Sequence, residues 1–174
     1  AQLDVLANRS VVVIGAGGVA RAAATVLLRA RANVFITNRT LSRASMLVES
    51  ISVQRDRSWE DSIQVVDSKA LKNFVADLYI NCTSVGMTGG PDPDGLSIPI
   101  PDMTNIDENT VFFDTVYNPV ETPMLRAARA RSCRTIDGVE MFVRQAAAQF
   151  ELWTGQPAPV ELFDKLCREK LAES

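Results

Sequence analysis

The sequence predicts an α/β fold of the Rossmann type, in which a doubly wound parallel sheet lies between two helical layers (αβα). Residues 11–14 are apolar at every position, which is typical of a parallel strand covered on both faces. A glycine-rich turn follows at 15–18, and further apolar strands alternate with helical patterns along the chain. Elements that alternate in this way form parallel sheets with right-handed crossovers.

The glycine-rich turn has the spacing of a dinucleotide-binding motif. Gly15, Gly17 and Ala20 occupy the G-x-G-x-x-G/A positions, where small residues allow a tight turn, close approach of backbone N–H groups to a pyrophosphate, and close packing of the helix on the strand. Apolar residues then recur at helical spacing: Val19, Ala22, Ala23, Val26, Leu27 and Ala30. Glycines also serve plain turns, but the strand before and the helix after favour a dinucleotide whose phosphates lie at the helix N-terminus.

The end of the second predicted strand, 33–38, indicates which dinucleotide. An NAD-binding unit usually places Asp or Glu there to bind the ribose hydroxyls. In this chain the residues are Asn38, Arg39 and Thr40, followed by Arg43. A guanidinium can bind a 2′-phosphate through two charge-assisted hydrogen bonds, so we predict NADP(H) as cofactor. In the alternative, both arginines are solvated charges and Thr40 is only the N-cap of the helix predicted at 41–51.

Length and composition favour one domain and exclude several partners. The chain has 174 residues, 47% of them hydrophobic, and a net charge of −3 without a basic block, so neither nucleic acid nor an anionic membrane is an expected partner. Cys82, Cys133 and Cys167 are far apart and there is no histidine, which predicts no metal site and buried thiols in a reducing cytoplasm. With no apolar stretch of about 20 residues and no signal peptide, we expect a cytoplasmic protein, although a chain that begins at Ala1 is consistent with a piece of a longer one.

Further strands are predicted at 63–66, 78–80, 111–113 and 134–137, and a short helix at 69–74. The segment 81–87, which follows the strand at 78–80, should face the ligand crevice, because the carboxyl ends of parallel strands form it; without the glycine motif upstream an ordinary Ser/Thr/Gly turn would account for this segment about equally well. A proline- and glycine-rich loop, 89–101, is expected over the crevice mouth. Thr122 followed by Pro123 predicts the start of a helix, with Thr122 as the N-cap and the proline in the first turn. The helix predicted at 139–154 should have an ion pair between Glu140 and Arg144. A last helix is predicted at 160–171, with an apolar face that requires a cover.

Six motifs in order resemble the shikimate dehydrogenase family. They are Gly-Ala-Gly-Gly-Val-Ala-Arg-Ala (15–22), Asn-Arg-Thr (38–40), Asn-Cys-Thr-Ser-Val-Gly-Met (81–87), Asp-Thr-Val-Tyr-Asn-Pro (114–119), Thr-Pro-Met-Leu (122–125) and Asp-Gly-Val-Glu-Met-Phe-Val-Arg-Gln-Ala (137–146). The last of them and the segment 149–159 look most like the bifunctional enzymes that join dehydroquinate dehydratase to shikimate dehydrogenase. The resemblance implies reversible hydride transfer between NADP(H) and the 3-dehydroshikimate/shikimate pair in aromatic amino-acid biosynthesis.

The resemblance also implies roles for individual residues. The pyrophosphate would be cradled by Gly15, Ala16, Gly17, Gly18 and Val19, and the 2′-phosphate held by Asn38, Arg39, Thr40 and Arg43. The path to the nicotinamide would be lined by Thr83, Ser84, Val85, Thr115 and Gly138. Tyr117 and Gln145 would reach the substrate, whereas helical spacing alone favours a partly exposed glutamine at 145.

Hydride transfer to a carbonyl also needs a group that supplies a proton to the oxygen. In the shikimate dehydrogenase family, which this chain resembles, the catalytic Lys and Asp belong to an N-terminal substrate domain. We therefore expect no catalytic residue in these 174 residues, and no shikimate oxidation by them alone. Residues 1–156 would form the NADP-binding domain, and 157–174 a C-terminal helix that packs on the missing domain. Two alternatives stay open: an NAD-using quinate/shikimate dehydrogenase, and a dinucleotide-binding module without turnover.

Overall fold

The structure, a computed structural model, describes residues 3–54, 57–97, 106 and 108–173. Within these ranges there are six strands: β1 (Ser10–Ile14), β2 (Asn33–Thr37), β3 (Ile63–Val65), β4 (Leu78–Asn81), β5 (Val111–Asp114) and β6 (Arg134–Ile136). The α-helices are α1 (Gly18–Arg29), α2 (Leu41–Gln54), α3 (Pro123–Arg129), α4 (Gly138–Thr154) and α5 (Val160–Ala172). Short 3-10 helices lie at Leu3–Leu6, Arg57–Ser62 and Ala70–Asn73.

The strands form one parallel sheet in the order β3-β2-β1-β4-β5-β6. Val12 of β1 lies between Phe35 of β2 and Tyr79 of β4. The chain therefore winds in one direction from β1 to β3 and in the other from β4 to β6, and the order reverses between β1 and β4. Ligands of such sheets bind outside the carboxyl ends of the strands at this switch point. The predicted fold class is confirmed.

Each face of the sheet has its own apolar core. On one face α1 and α2 cover the sheet, and their buried residues pack with Val11, Val13 and Ile80. On the other face α3 and the 3-10 helix at Ala70–Asn73 cover Val12 and Phe112. The three-layer arrangement follows from these two cores, because strands buried on both sides need apolar residues at successive positions.

Several predicted elements differ from the structure in their buried face or in their bounds. In α1 the buried residues are Ala20, Ala24, Leu27 and Leu28, whereas Val19 and Val26 are about half exposed. The segment at 69–74 is a single 3-10 turn, and α2 continues to Gln54. Asp137 is not the last residue of a strand, because its carboxylate accepts a hydrogen bond from the Glu140 N–H and caps α4. Loop residues 89–97 have no helix or strand, and 98–101 lie outside the described residues.

The two C-terminal helices pack on each other at one side of the domain. Phe150 of α4 meets Phe163 of α5 edge-on, with ring centroids 5.8 Å apart. The Arg168 guanidinium donates from Nη1 to Asp137 Oδ2 at 3.1 Å and from Nε to Asp164 Oδ2 at 3.0 Å. No residue of α5 is buried. Across the described part of the chain, no helix is both long and apolar enough to cross a bilayer.

Candidate functional site

The glycine turn between β1 and α1 leaves a helix N-terminus open. Gly15 has φ +116°, and a Cβ there would lie 2.9 Å from the carbonyl oxygen of Cys82. Helix α1 has no side-chain cap and no acidic residue in its first turn, and a Cβ at Gly17 or Gly18 would meet no atom within 4 Å. Its first backbone N–H groups lack partners inside the helix. The turn therefore fits an anionic group such as a pyrophosphate.

The residues after β2 are tied to the same turn. The Gly15 N–H donates to the carbonyl of Thr37 at 2.7 Å, and Asn38 Nδ2 donates to the carbonyl of Thr40 at 2.9 Å. Arg39 and Arg43 are exposed, and neither side chain has a hydrogen bond or an ion pair with any described residue. Two unpaired guanidinium groups thus follow the strand that is bonded to the glycine turn, which is a suitable place for a phosphate.

A cleft of ≈ 350 Å³ opens where β4 and β5 end beside α1. It is lined by Val19, Cys82, Thr83, Ser84, Met87, Thr88, Thr115, Val116, Tyr117 and Asn118. Four of the predicted cofactor residues and Tyr117 therefore meet in one cavity. Val85 lies in the same turn as Thr83, and its N–H donates to Thr83 Oγ1 at 3.2 Å.

Gly138 adjoins this cleft from behind. A Cβ at this position would lie 2.2 Å from the carbonyl oxygen of Val116 and 2.8 Å from the backbone nitrogen of Tyr117. Only a residue without a Cβ allows α4 to begin this close to the cleft wall. Gln145, in contrast, is exposed and lines a different groove with Phe113 and Ile136, so the structure does not bring it into the cavity that Tyr117 lines.

Below the cleft lies a buried polar network. Asn81, Asp114 and Thr122 are fully buried. Asp114 accepts hydrogen bonds from Asn81 Nδ2 at 2.9 Å, from the Val116 N–H at 3.0 Å and from Thr122 Oγ1 at 2.7 Å. The Thr83 hydroxyl donates to Asn81 Oδ1 at 2.7 Å. The Thr83 hydroxyl therefore donates its proton to the buried network, although Thr83 also lines the cleft.

The charge state of the cleft follows from burial. Burial raises the pKa of Asp114, and hydrogen bonds from Val116, Thr122 and Asn81 oppose that rise. Burial, followed by the nearby Asp114 charge, raises the pKa of Cys82 to about 12. Cys82 is thus a neutral thiol near pH 7 and a poor nucleophile. Among the described residues, the lining contains no Asp, Glu, Lys or Arg, so these residues can bind a ligand through backbone and hydroxyl groups but supply no strong general acid.

Two family models match the chain: "Shikimate / quinate 5-dehydrogenase" over residues 1–84 and "Shikimate 5'-dehydrogenase C-terminal domain" over 138–168. A shikimate dehydrogenase (NADP(+)) of Methanocella arvoryzae is 40% identical over 167 residues, which cover 95% of this chain and 58% of that protein. The chain belongs to the shikimate dehydrogenase family.

Solved structures of shikimate dehydrogenases and related enzymes share the fold. A shikimate dehydrogenase in complex with NADP+ matches with a TM-score of 0.81 at 31% identity, and the match covers 95% of this chain and 55% of that one. A quinate dehydrogenase from Corynebacterium glutamicum in complex with NAD has a TM-score of 0.74 at 32% identity, over 91% of this chain and 54% of the other. The chain thus spans a little over half the length of these shikimate dehydrogenase relatives.

Three buried polar residues that support the site, Asn81, Asp114 and Thr122, are not among the predicted site residues. Asn81 and Asp114 end two strands that are neighbours in the sheet and lie directly opposite each other, and Thr122 caps α3 through the Leu125 N–H. A polar residue at the end of a buried apolar strand was the available indication for the first two. Their contact depends on the order of the strands in the sheet, which the local sequence does not reveal. Among the described residues, no group of three or more His, Cys, Asp or Glu side chains could hold a metal ion.

Proposed function

We propose that this chain is the NADP(H)-binding part of a shikimate dehydrogenase, an oxidoreductase that interconverts 3-dehydroshikimate and shikimate. One observation carries the proposal: two arginines without a partner among the described residues follow the strand that is bonded to an uncapped, glycine-lined helix N-terminus. That arrangement offers separate places for a pyrophosphate and for a further phosphate. Family membership and the NADP-dependent relatives support the same cofactor.

In this proposal the backbone of Gly15–Val19 cradles the pyrophosphate and Asn38, Arg39, Thr40 and Arg43 hold the 2′-phosphate. Residues Thr83–Val85 with Thr115 form the wall toward the nicotinamide, and Gly138 lets that wall and α4 approach each other. NADP(H), when bound, supplies the hydride. The chain's own contribution is to bind and orient the cofactor and to keep charged side chains out of its path.

Substrate contacts are assigned to Tyr117 and Gln145. The Tyr117 ring is 44% exposed and stacks on Phe142 of α4, with ring centroids 4.9 Å apart, so its position is fixed while one edge stays accessible. Gln145 is on the same helix and is exposed. An amide and a phenol suit a hydroxylated, carboxylated ring because both donate and accept hydrogen bonds.

The proton donor for the reaction is assigned to residues outside this chain. The described residues that line the cleft include no charged side chain, and Lys165 lies on α5, where it pairs with Glu169. The relatives are longer than this chain. We therefore infer that the 174 residues bind NADP(H) without oxidising shikimate when isolated, and that an N-terminal substrate domain supplies the acid-base groups.

The outward side of α4 and α5 is the proposed contact for that domain. Trp153 and Leu152 are 77% and 81% exposed, and Leu166 of α5 is 54% exposed. Large exposed apolar side chains on two neighbouring helices are consistent with an interaction surface. The division into 1–156 and 157–174 belongs to this proposal, as does an upstream dehydroquinate dehydratase domain, which the resemblance of residues 137–146 and 149–159 to the bifunctional enzymes supports.

Parallel titrations with NADP+ and NAD+ test the cofactor assignment. Arg39→Ala should weaken NADP+ binding about ten- to a hundredfold, which corresponds to ~1.5–3 kcal/mol, and should hardly change NAD+ binding. Arg29→Ala is the matched control, because it removes the same charge from the far end of α1. Equal losses for both nucleotides in Arg39→Ala would reject the 2′-phosphate role of this residue.

Two other functions make different predictions in the same experiments. A quinate dehydrogenase that uses NAD, as in the Corynebacterium glutamicum structure, would bind NAD+ at least as tightly as NADP+. A dinucleotide-binding module without turnover would show no binding of shikimate in ligand-observed NMR, and Tyr117→Phe would change nothing there. NADPH formation from shikimate by the isolated chain would contradict the assignment of the proton donor to a missing domain.

A further inference from the structure

The floor of the cleft is formed by two turns that come from different strands. One turn, 82–86, follows β4, and the other, 115–118, follows β5. Thr83, Ser84, Thr115 and Val116 all line the cavity. Two backbone hydrogen bonds link the two loops: the Thr115 N–H donates to the carbonyl of Asn81 at 3.0 Å, and the Thr88 N–H donates to the carbonyl of Asn118 at 2.9 Å. Below the floor the two turns are also joined through side chains.

Those side chains form a chain of hydrogen bonds with a fixed direction. The Val85 N–H donates to Thr83 Oγ1, the Thr83 hydroxyl donates to Asn81 Oδ1, and Asn81 Nδ2 donates to Asp114 Oδ1 at 2.9 Å. Asn81 Nδ2 also donates to the Val85 carbonyl at 3.2 Å. The Asn81 amide has only one orientation that satisfies all these partners, because the carboxylate of Asp114 can only accept.

Asp114 is where the second turn and helix α3 join this chain. Its Oδ1 also accepts from the Val116 N–H at 3.0 Å, and its Oδ2 accepts from Thr122 Oγ1 at 2.7 Å. Since the Thr122 proton points at Asp114, an oxygen lone pair remains for the Leu125 N–H at 3.3 Å, which caps α3. The Asp114 carboxylate thus accepts hydrogen bonds from three elements: β4 through Asn81, the 115–118 turn through Val116, and the start of α3 through Thr122.

A buried carboxylate without a cation is costly unless several donors satisfy it. Asp114 is fully buried, and no arginine or lysine contacts it among the described residues. An apolar residue would fill the same space in a core at lower cost. The position of the three donors, directly under the cleft, suggests a purpose other than stability.

We propose that Asp114 is a positioning residue for the cofactor: by accepting from Asn81, Val116 and Thr122, its carboxylate sets the relative position of the two turns that form the cleft floor. It touches no ligand itself. The Thr83 methyl group is thereby turned toward the glycine loop, where its Cγ2 would lie 3.1 Å from a Cβ at Gly15. The inference rests on the proposed dinucleotide site for its functional consequence.

Asp114→Asn is the central test, because the amide keeps the shape and one acceptor but reverses the donor direction toward Thr122 or Asn81. We expect NADP+ affinity to fall about tenfold, which corresponds to ~1.4 kcal/mol. The melting temperature should fall little or rise, because the variant no longer buries a charge. A loss of affinity without a loss of stability is the result that a merely structural role would not produce.

Two further variants provide the controls. Thr122→Ser keeps the hydroxyl and should bind NADP+ as the wild type does, whereas Thr122→Val removes the donor to Asp114 Oδ2 and should bind more weakly. Leu71→Ala opens a cavity in the core on the α3 side and should lower the melting temperature without changing NADP+ affinity. Unchanged NADP+ affinity in Asp114→Asn would overturn the proposal.

Amide hydrogen exchange gives a measurement that does not depend on the cofactor. In Asp114→Asn the N–H groups of Thr83, Val85 and Val116 should exchange faster, while those in the middle of β1 should keep their protection. Unchanged exchange at these three amides would overturn the positioning role. If the wild-type chain bound no NADP+, the proposed function would fail, and exchange at these amides would still decide whether Asp114 positions the turns.

Discussion

Gly138→Ala tests how closely α4 must approach the wall of the cleft. The added Cβ would lie 2.2 Å from the Val116 carbonyl oxygen and 2.8 Å from the Tyr117 nitrogen. Both are backbone atoms, so no side-chain rotation relieves the contact. The start of α4 or the 116–117 segment must move by about 1 Å before the contact approaches the ~3.5 Å of ordinary packing.

The expected cost of that displacement can be estimated. Overpacking costs ~1–3 kcal/mol, and the gain in helix propensity from Gly to Ala is at most ~1 kcal/mol. The net loss is therefore about 1–2 kcal/mol, or ~2–8 °C in melting temperature for a chain of this size. NADP+ affinity should fall as well, because the displaced segment lines the cavity.

Gly18→Ala is a matched control for this experiment. Gly18 is the first residue of α1, as Gly138 is of α4, but a Cβ at Gly18 would meet no atom within 4 Å. Its melting temperature should equal or slightly exceed that of the wild type. Thermal unfolding followed by circular dichroism compares the two variants directly. If Gly138→Ala melted at the same temperature as Gly18→Ala, the close approach of α4 would be refuted.

Three further predictions concern ionisable groups. Burial raises the pKa of Asp114 above its ordinary value of 3.8 in the folded state, so its contribution to stability decreases as pH rises through the raised value. The stability of Asp114→Asn relative to the wild type should therefore increase in thermal melts as pH rises above about 4, and a constant difference would contradict this. Cys82, with a pKa of about 12, should react with iodoacetamide at pH 8 about a thousandfold more slowly than an ordinary thiol. Rapid alkylation in a mass-spectrometric time course would show that the pKa of this thiol is not raised. Arg168→Lys keeps the charge but cannot bond both Asp137 and Asp164 at once. The melting temperature should therefore fall by about 2–4 °C, which is equivalent to ~1 kcal/mol at a partly exposed ion pair. An unchanged melting temperature would mean that these ion pairs do not hold α5 on the domain.

The sequence predicts the sheet and the end of it that binds ligands, because both depend on local patterns. An all-apolar run such as 11–14 needs cover on both faces, and the alternation with helices then requires parallel strands. All six predicted strands are present, within one or two residues of the expected bounds. The polar residues that follow the strands must lie together at the carboxyl edge of the sheet, because all strands of a parallel sheet run in the same direction.

The buried side of α1 could not be predicted in the same way. Most positions of this helix are apolar, so hydrophobic spacing does not distinguish its faces. The structure buries Ala20 and Ala24 against the sheet and leaves Val19 beside the cleft. Small residues allow the helix backbone to come close to the strands, and the exit direction of the glycine turn determines which of them point inward.

Side-chain directions in the site depend on neighbours that are distant in sequence. Thr83 was expected at the cofactor, and it does line the cleft, but Asn81 draws its hydroxyl inward. The position of Asn81 depends in turn on Asp114, 33 residues later, across a pair of strands that only the topology makes neighbours. Gln145 was placed by resemblance alone, and its role at the substrate stays a prediction.

The two outermost strands of the sheet are also its shortest. β3 and β6 have three residues each, and β6 begins with the exposed Arg134. An unpaired strand edge is a template for association with other chains, and short, charged edges make such pairing unfavourable. The domain should therefore resist edge-to-edge aggregation even at high concentration, which would make it a tractable sample for crystallisation and NMR.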